Sequence, residues 1–417
     1  MKSTVLRQLL ATNPLVVTGC GAFSAAGDSV AALWDHAVNG RVPAQLREFS
    51  IGGRQRSFAV CSAPEIDSQR PELHPVRRAD RVVQLAWLAA LQALQAAGVT
   101  PASDDARIGV VAGTARGPLS RLAMGFERVD AGGHRYPPSL AADCALASLS
   151  GALAQGFKFT GPGGTLAATC ASGAFAIAYA AEQLLLGKAD IMLVGGSEAP
   201  LVPAVLAQLD AAGMLGSHPD PARTCRPFDR TRNGLCLGEG SAFLVLETSI
   251  SATRRGARPL ARLAGWGQVV DLAGRVGVSE GAEGMVQAAS DALALAGLEP
   301  GMIDYVNAHG TGTVMNDLAE VRAVQTIFGD RAAQVPCSST KPVTGHCLGV
   351  TPALEAILAV EALRHQLIPP TANCHLPDPE CVLDVVPLTA RPARLNHVMS
   401  NSLGFWGYHA SLIFSRV

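Results

Sequence analysis

Short runs of β-branched and aliphatic residues alternate with longer Ala- and Leu-rich runs along most of the chain. That rhythm predicts strand–helix–strand units and a mainly parallel sheet, an α/β fold. IGVVAGTA at 108–115 and IMLVGGSEA at 191–199 read as buried strands, and both end in glycine turns. Residues 15–18 read as a first strand entering a turn at Gly19-x-Gly21. From 76 to 98 the period changes: VRRADRVVQLAWLAALQALQAAG places apolar residues at helical spacing and stops on Gly98. DALALAGLEPGMIDYVNAHGTGT predicts a helix, a glycine–proline break and a strand ending at 307–309.

The pattern also echoes itself. NGLCLGEGSAFLVLE (233–247) lies on NSLGFWGYHASLIFS (401–415) without gaps, matching Asn233 with Asn401, Leu235 with Leu403, Ala242 with Ala410 and Leu244 with Leu412. Gly19-x-Gly21 is repeated as Gly265-x-Gly267. Two related α/β halves, residues 1–250 and 251–417, are therefore expected, joined through the polar, basic stretch TSISATRRGAR.

Composition narrows the function classes. With 417 residues the chain can bury a deep site. The 33 Lys and Arg balance 34 Asp and Glu, so no basic field points to nucleic acid; small molecules or a modest protein partner fit better. Ten cysteines without a C-x-x-C pair form neither a disulfide framework nor a zinc pattern, and no metal is expected. Thr12, Asn13 and Pro14 break the only apolar run that resembles a secretory segment. No run approaches the roughly 20 apolar residues of a membrane span, so a soluble, cytoplasmic protein is expected.

Three segments carry candidate chemistry. In GPGGTLAATCASGAFAIAYAAEQLLLG (161–187) a strand-like run delivers Cys170 to the start of a helix, where the dipole favours thiolate. A buried structural cysteine is the plain alternative. VNAHGTGT (306–313) puts His309 at the end of a strand, where α/β folds place catalytic groups; a satisfied turn histidine is the alternative there. SSTKPVTGHCLG (338–349) sets Lys341 and His346 before a helix that carries Glu355. One cysteine, two histidines and no nucleotide fingerprint together suggest covalent acyl transfer with a further anionic step.

At this point the chain resembles the elongating β-ketoacyl-(acyl carrier protein) synthases of the thiolase superfamily. The resemblance rests on an ordered set: VVTGCGAFSAAGDS, ADRVVQLA, GPGGTLAATCASG, RPFDRTRNGLCLGEGSAFLVLE, VNAHGTGTVMNDLAE, STKPVTGHCLG and SNSLGF. It implies a thiolase-like fold in α-β-α-β-α layers and decarboxylative condensation of an acyl-enzyme with a malonyl carrier, with no cofactor. It makes Cys170 the acylated nucleophile, His309 and His346 the pair supporting decarboxylation, and Lys341 with Glu355 the charged pair organising them. The peptide N–H groups of Cys170 and Phe405 become the oxyanion hole, Phe405 the gate, and Thr311 and Thr313 the binders of the phosphopantetheine arm. Arg77, Arg78, Arg116 and Arg121 become the face for an acidic acyl carrier protein. A homodimer is implied, or a heterodimer with a related subunit.

The departures are local. Where the family follows its gate phenylalanine with two glycines, threonine and asparagine, this chain has Trp406, Gly407, Tyr408 and His409. Tryptophan should reach φ > 0 poorly, so a stiffer gate is expected, with Trp406 lining the acyl channel or else packing in a core or dimer contact. After GHCLG the usual small residues give way to Val350, Thr351 and Pro352. These changes put ordinary fatty-acid elongation in doubt and bring polyketide or aryl-polyene assembly into view. Cys170 argues against a chain-length factor, His346 against an initiating synthase, and the setting of Cys347 against a thiolase. A partner subunit without catalysis is the remaining alternative.

Overall fold

Ten strands form one sheet whose order mirrors itself about the middle. The structure, a computed structural model, describes residues 2–100, 107–130, 138–272, 274, 278–279 and 281–417. The first half contributes β1 (Leu15–Ser24), β2 (Ile108–Gly113), β3 (Gly163–Leu166), β4 (Ile191–Glu198) and β5 (Gly240–Thr248). The second contributes β6 (Ala261–Val270), β7 (Tyr305–Asn307), β8 (Cys337–Ser338), β9 (His397–Gly404) and β10 (Tyr408–Ser415). Their order is β8-β7-β9-β10-β6-β1-β5-β4-β2-β3. β2 is parallel to β3 and β4, as β7 is to β8 and β9. Only β5 and β10 run against their half-sheets, and the halves touch where β1 meets β6 over residues 15–17.

Helices complete the layers. α1 (Arg81–Ala97) covers β1, β4 and β5, and α3 (Glu283–Ala296) covers β6 and β10 on the equivalent face. α2 (Ser172–Leu185) and α5 (Thr351–His365) lie between the halves, touching strands of both and each other. This is the expected thiolase-like α-β-α-β-α stack. α5 is buried throughout Thr351 to Leu363, which is why its run TPALEAILAVEAL shows no polar face. Pro352 stands in its first turn, where a missing N–H costs nothing. Among the described residues no helix is long and apolar enough to cross a membrane.

The internal echo is structural down to register. Leu244 and Ala242 of β5 face Cys20 and Ala22 of β1; Leu412 and Ala410 of β10 face Trp266 and Gln268 of β6. Upstream the correspondence ends, since Asn401 lies in β9 and Asn233 in irregular backbone. The two Gly-x-Gly motifs are not turns, contrary to expectation: β1 and β6 run straight through them. A Cβ on Gly19 or Gly21 would lie 2.3 Å from Ala93 O or 2.0 Å from Ala89 O of α1. On Gly265 or Gly267 it would lie 2.3 Å from Ala292 O or 1.9 Å from Ala288 O of α3. Strand glycine against helix alanine lets each outer helix approach closely. α1 also begins later than its periodicity suggests, at Arg81, because the Asp80 side chain accepts the Val82 N–H at 3.0 Å and caps it there.

Candidate active site

A cavity of about 540 Å³ opens at the ends of the strands where the halves meet. Cys170, His309, His346, Thr311, Thr313, Phe405, Trp406 and Arg116 all line it, so residues from across the sequence converge as the motifs suggested.

Cys170 sits just before Ala171, which caps α2. The chain reaches it through Thr169, whose φ of 49° is left-handed. The setting works against the expected thiolate. Burial pushes the thiol up to about 12, outweighing the pull of Lys341, with Glu198 pushing the same way as burial. The end of β9 closes over this loop: a Cβ on Gly404 would fall 2.1 Å from Thr169 Oγ1 and 3.2 Å from Cys170 N. Thr169 Oγ1 donates to the carbonyl of Phe405 at 3.3 Å. The backbone around Phe405 is thereby held alongside that of Cys170.

The histidine rings face each other edge to face, centroids 5.5 Å apart. The Leu348 N–H donates to His346 Nδ1 at 3.2 Å, so Nδ1 accepts and the neutral ring carries its proton on Nε2. His309 is fixed through its backbone: its N–H donates to Glu320 Oε1 at 2.7 Å and its carbonyl accepts from Lys341 Nζ. Burial and then the Lys341 charge hold both imidazoles well below their ordinary range. Lys341 Nζ is also 2.7 Å from Glu355 Oε1, an ion pair with almost no exposure. Burial pushes Glu355 up to about 7 although Lys341 pulls it down.

Three buried carboxylates escaped the sequence reading. Glu320 also takes the Gly310 N–H at 2.7 Å. Asp317, one turn earlier on α4 (Val314–Phe328), accepts from Thr311 N, Gly312 N and Phe228 N and so shapes the threonine loop. Glu198, at the end of β4, gathers N–H groups of Ala115, Arg116 and Gly349 at 2.7–3.0 Å. The signal for the first two was an acidic pair at i, i+3 directly after HGTGT.

Other expected positions are distributed differently. Arg77 and Arg78 are exposed in the turn before α1. Arg121 donates its backbone N–H to Asp80 at 2.8 Å, which ties its segment to that turn, and its guanidinium lies 3.9 Å from Asp143. Cys347 is fully buried against Thr344 O and does not line the cavity.

Trp406 corrects the gate argument. It takes φ 64° and ψ 23°, the conformation a glycine would take there. The reason is the tight hairpin: Gly404 pairs with Tyr408, leaving only 405–407 for the turn. The indole is 56% exposed, so it is no core filler, and stands at the cavity rim with Val314 and Met315.

The profile of the beta-ketoacyl synthase N-terminal domain matches residues 12–252, and that of the C-terminal domain residues 260–375. A polyketide beta-ketoacyl synthase from Streptomyces halstedii is 38% identical over 416 residues, 96% of this chain and 97% of that one. The 3-oxoacyl-(acyl-carrier-protein) synthase 2 of Staphylococcus aureus is 35% identical over 96% of this chain and 98% of its own. A solved complex of a type II polyketide-synthase acyl-carrier protein with its hexaketide-bound ketosynthase contains a similar chain, with TM-score 0.87 and 28% identity over 97% of this chain and 99% of that one. Profiles spanning both halves and relatives matched over nearly their whole length lead to one conclusion: the chain belongs to the beta-ketoacyl synthase family.

Proposed function

We propose that Cys170 of this chain takes an acyl group and joins it, with loss of CO2, to a malonyl group carried on an acyl carrier protein. The observation that carries this is the single cavity shared by Cys170, His309 and His346, with Phe405 and the two threonines at its wall. In the first half-reaction the Cys170 sulfur attacks the incoming thioester, the carbon–sulfur bond to the carrier breaks, and the proton given up by Cys170 ends on the departing sulfur, so the carrier leaves as its thiol. The N–H groups of Cys170 and Phe405 would receive the oxyanion. In the second, loss of CO2 from the malonyl thioester leaves an enolate, to which the neutral Nε2–H of His346 and the ring of His309 would donate. The enolate carbon then attacks the acyl carbonyl and the Cys170 sulfur departs. Lys341 serves this chemistry indirectly, since its charge helps keep both imidazoles neutral. Thr311 and Thr313, whose hydroxyls are 2.9 Å apart, would bind the amides of the phosphopantetheine arm.

Arg77, Arg78, Arg116 and Arg121 form the carrier-docking face in this reading; their two segments are joined through Asp80. A second copy, or a related subunit, completes the assembly. The halves divide as 1–250 and 251–417, with the nucleophile in the first and the histidines in the second. Ten free cysteines fit a reducing compartment, and we place the protein in the cytoplasm.

Intact-mass measurement after incubation with acyl- and malonyl-carrier thioesters tests the reading. An acyl adduct is expected on the native chain and on His309→Ala and His346→Ala, but not on Cys170→Ala. CO2 release is expected to fail in both histidine variants. Decarboxylation that persists while acylation is lost in those variants would reverse the assignment, and no adduct with any donor would leave a non-catalytic partner subunit.

A further inference from the structure

Of the four arginines in the proposed docking face, only Arg116 also lines the cavity. The loop that carries it follows β2 and is held firmly. Glu198 Oε1 accepts from Thr114 Oγ1 and from the Arg116 N–H, both at 3.0 Å. Its Oε2 accepts from the Ala115 N–H at 2.7 Å and the Gly349 N–H at 3.0 Å. The packing leaves no slack on either side. A Cβ on Gly113 would lie 2.6 Å from the carbonyl carbon of Ser172 in the first turn of α2, and one on Gly349 would lie 2.4 Å from Ala115 N. Arg116 is thus fixed between the helix start beside Cys170 and the loop that carries His346.

Its guanidinium is not neutralised there. Among the described residues it makes no hydrogen bond or ion pair, and no aspartate or glutamate lines the cavity. Lys341, by contrast, is paired with Glu355. Burial raises the Cys170 thiol, and after burial the charges that act on it are those of Lys341, Glu198 and Arg116, so the Arg116 field reaches the sulfur that would carry the acyl group. A guanidinium keeps its charge and offers five donors. Water can serve these donors until an acyl group fills the cavity and displaces it. A saturated chain would then leave the charge facing hydrocarbon, whereas an oxygen on the chain would take the place of the water.

We propose that Arg116 binds an oxygen of the acyl group on Cys170, a chain ketone or a terminal carboxylate, and so selects oxygenated acyl groups over saturated hydrocarbon ones. This selection presupposes the condensing-enzyme reading above and gives its acyl group a chemical class.

The native full-length chain, Arg116→Met and Arg116→Lys are acylated with the N-acetylcysteamine thioesters of pentanoic acid, of its ketone analogue levulinic acid and of its carboxylate analogue glutaric acid. These thioesters carry no carrier protein, so docking does not enter, and intact mass followed over time gives the rate constant of acylation at Cys170. In the native chain at least one oxygenated probe is expected to react about tenfold or more faster than pentanoyl, the scale of a hydrogen bond to a charged group. A faster levulinoyl identifies a keto-bearing acyl group, a faster glutaryl a charged one. Methionine keeps bulk without donors, and Arg116→Met is expected to bring the ratio to within about threefold of one. Lysine keeps the charge without the planar fork, and Arg116→Lys is expected to lower the ratio by about threefold; this fall decides if Arg116→Met does not fold. Pentanoyl transfer as fast as both oxygenated probes in the native chain overturns the selection, and so does a preference that Arg116→Met leaves intact. An Arg116→Met effect confined to carrier-bound thioesters, or to malonyl decarboxylation, overturns it too, and assigns the arginine to docking or to the malonyl carboxylate. A native chain that takes no acyl group from any thioester, carrier-bound ones included, sinks the condensing reading and the selection with it, whereas pentanoyl transfer without preference sinks the selection alone.

Discussion

Replacing Lys341 by methionine removes a buried charge and keeps most of its volume. Lys341 is fully buried and bonds the Glu355 carboxylate and the His309 carbonyl. Burial pushes Glu355 up to about 7, and the ammonium is what restrains it. An unfolded glutamate titrates near about 4.3. With the folded value above the unfolded one, the native state holds the extra proton between them, so this group's contribution to stability falls as pH rises through that window. Without Lys341 the carboxyl climbs further and the fall continues above neutrality. Each unit of climb costs about 1.4 kcal/mol once pH exceeds it, and orphaning one member of a buried pair costs about 3–5 kcal/mol. Near about pH 5.5 Glu355 is protonated in both chains, and the variant should lose only the backbone hydrogen bond, about 1 kcal/mol. Near about pH 8.5 the deficit should reach about 3 kcal/mol or more. Glu320, also pushed up to about 7, is likewise held down by Lys341, so in the variant it climbs with Glu355 and deepens the deficit at high pH in the same direction. Denaturant melts at the two pH values check this, and equal deficits refute it. Lys341 also helps hold both histidines low, so the acidic limb of the pH–activity profile should move to higher pH in the variant. An unmoved limb would refute that part.

Three further outcomes follow from the site. With its thiol pushed up to about 12 by burial, Cys170 should be alkylated by iodoacetamide at a rate that still climbs at about pH 9; a plateau near neutrality would mean a resting thiolate. Trp406→Gly releases a left-handed residue whose strain is about 1–2 kcal/mol, so thermal stability should hold or rise while longer acyl chains are accepted at Cys170. A loss above about 1 kcal/mol would show that indole packing outweighs the strain. Reversing Arg77 and Arg78 to Glu should raise KM for carrier-bound substrate and weaken its salt dependence; unchanged carrier kinetics in a folded variant would move the docking face elsewhere.

What the sequence disclosed depended on how local the determinant was. The runs at 108–115 and 191–199 became strands β2 and β4 because both faces are covered, so their hydrophobicity is continuous. Gly98 ends α1 at φ 65°, a local requirement that leaves a local mark. Gly19 and Gly21 misled because the same residue that permits a turn also permits a helix to lie against a strand, and that helix is more than sixty residues away. Cys170 misled differently: the helix end is visible in ASGAFAIAYAAEQ, but the burial that raises the thiol comes from residues far from it in the chain, in a cluster that includes Val60, Leu209, Leu235 and Leu348. Trp406 reversed the expected link between side chain and backbone because the pairing of Gly404 with Tyr408 dictates the turn. Glu198 bonds backbone N–H groups of distant loops, and such partners have no sequence signature, whereas Glu320 and Asp317 bond mainly the loop before their own helix and are marked only by their i, i+3 spacing.

The duplicated fold accounts for the meeting of Cys170 and His346. β3 leads to Cys170 and α2, and its counterpart β8 leads to Lys341, His346 and α5, so equivalent points of the two halves supply the two groups. The central helices begin against each other: a Cβ on Gly173, in the first turn of α2, would fall 3.1 Å from Ala353 N in the first turn of α5. Two positive helix ends therefore converge beside one cavity. At Cys170 burial acts against them and pushes the thiol up. In the proposed reaction their effect would come when negative charge develops on a thioester oxygen inside the enclosed site, because dipoles already aligned need no reorganisation. A side chain at Gly173 would press on Ala353 N and on Gly349 O, 3.2 Å from that Cβ, and part the two helix ends, so this glycine is required by the convergence rather than by any backbone angle.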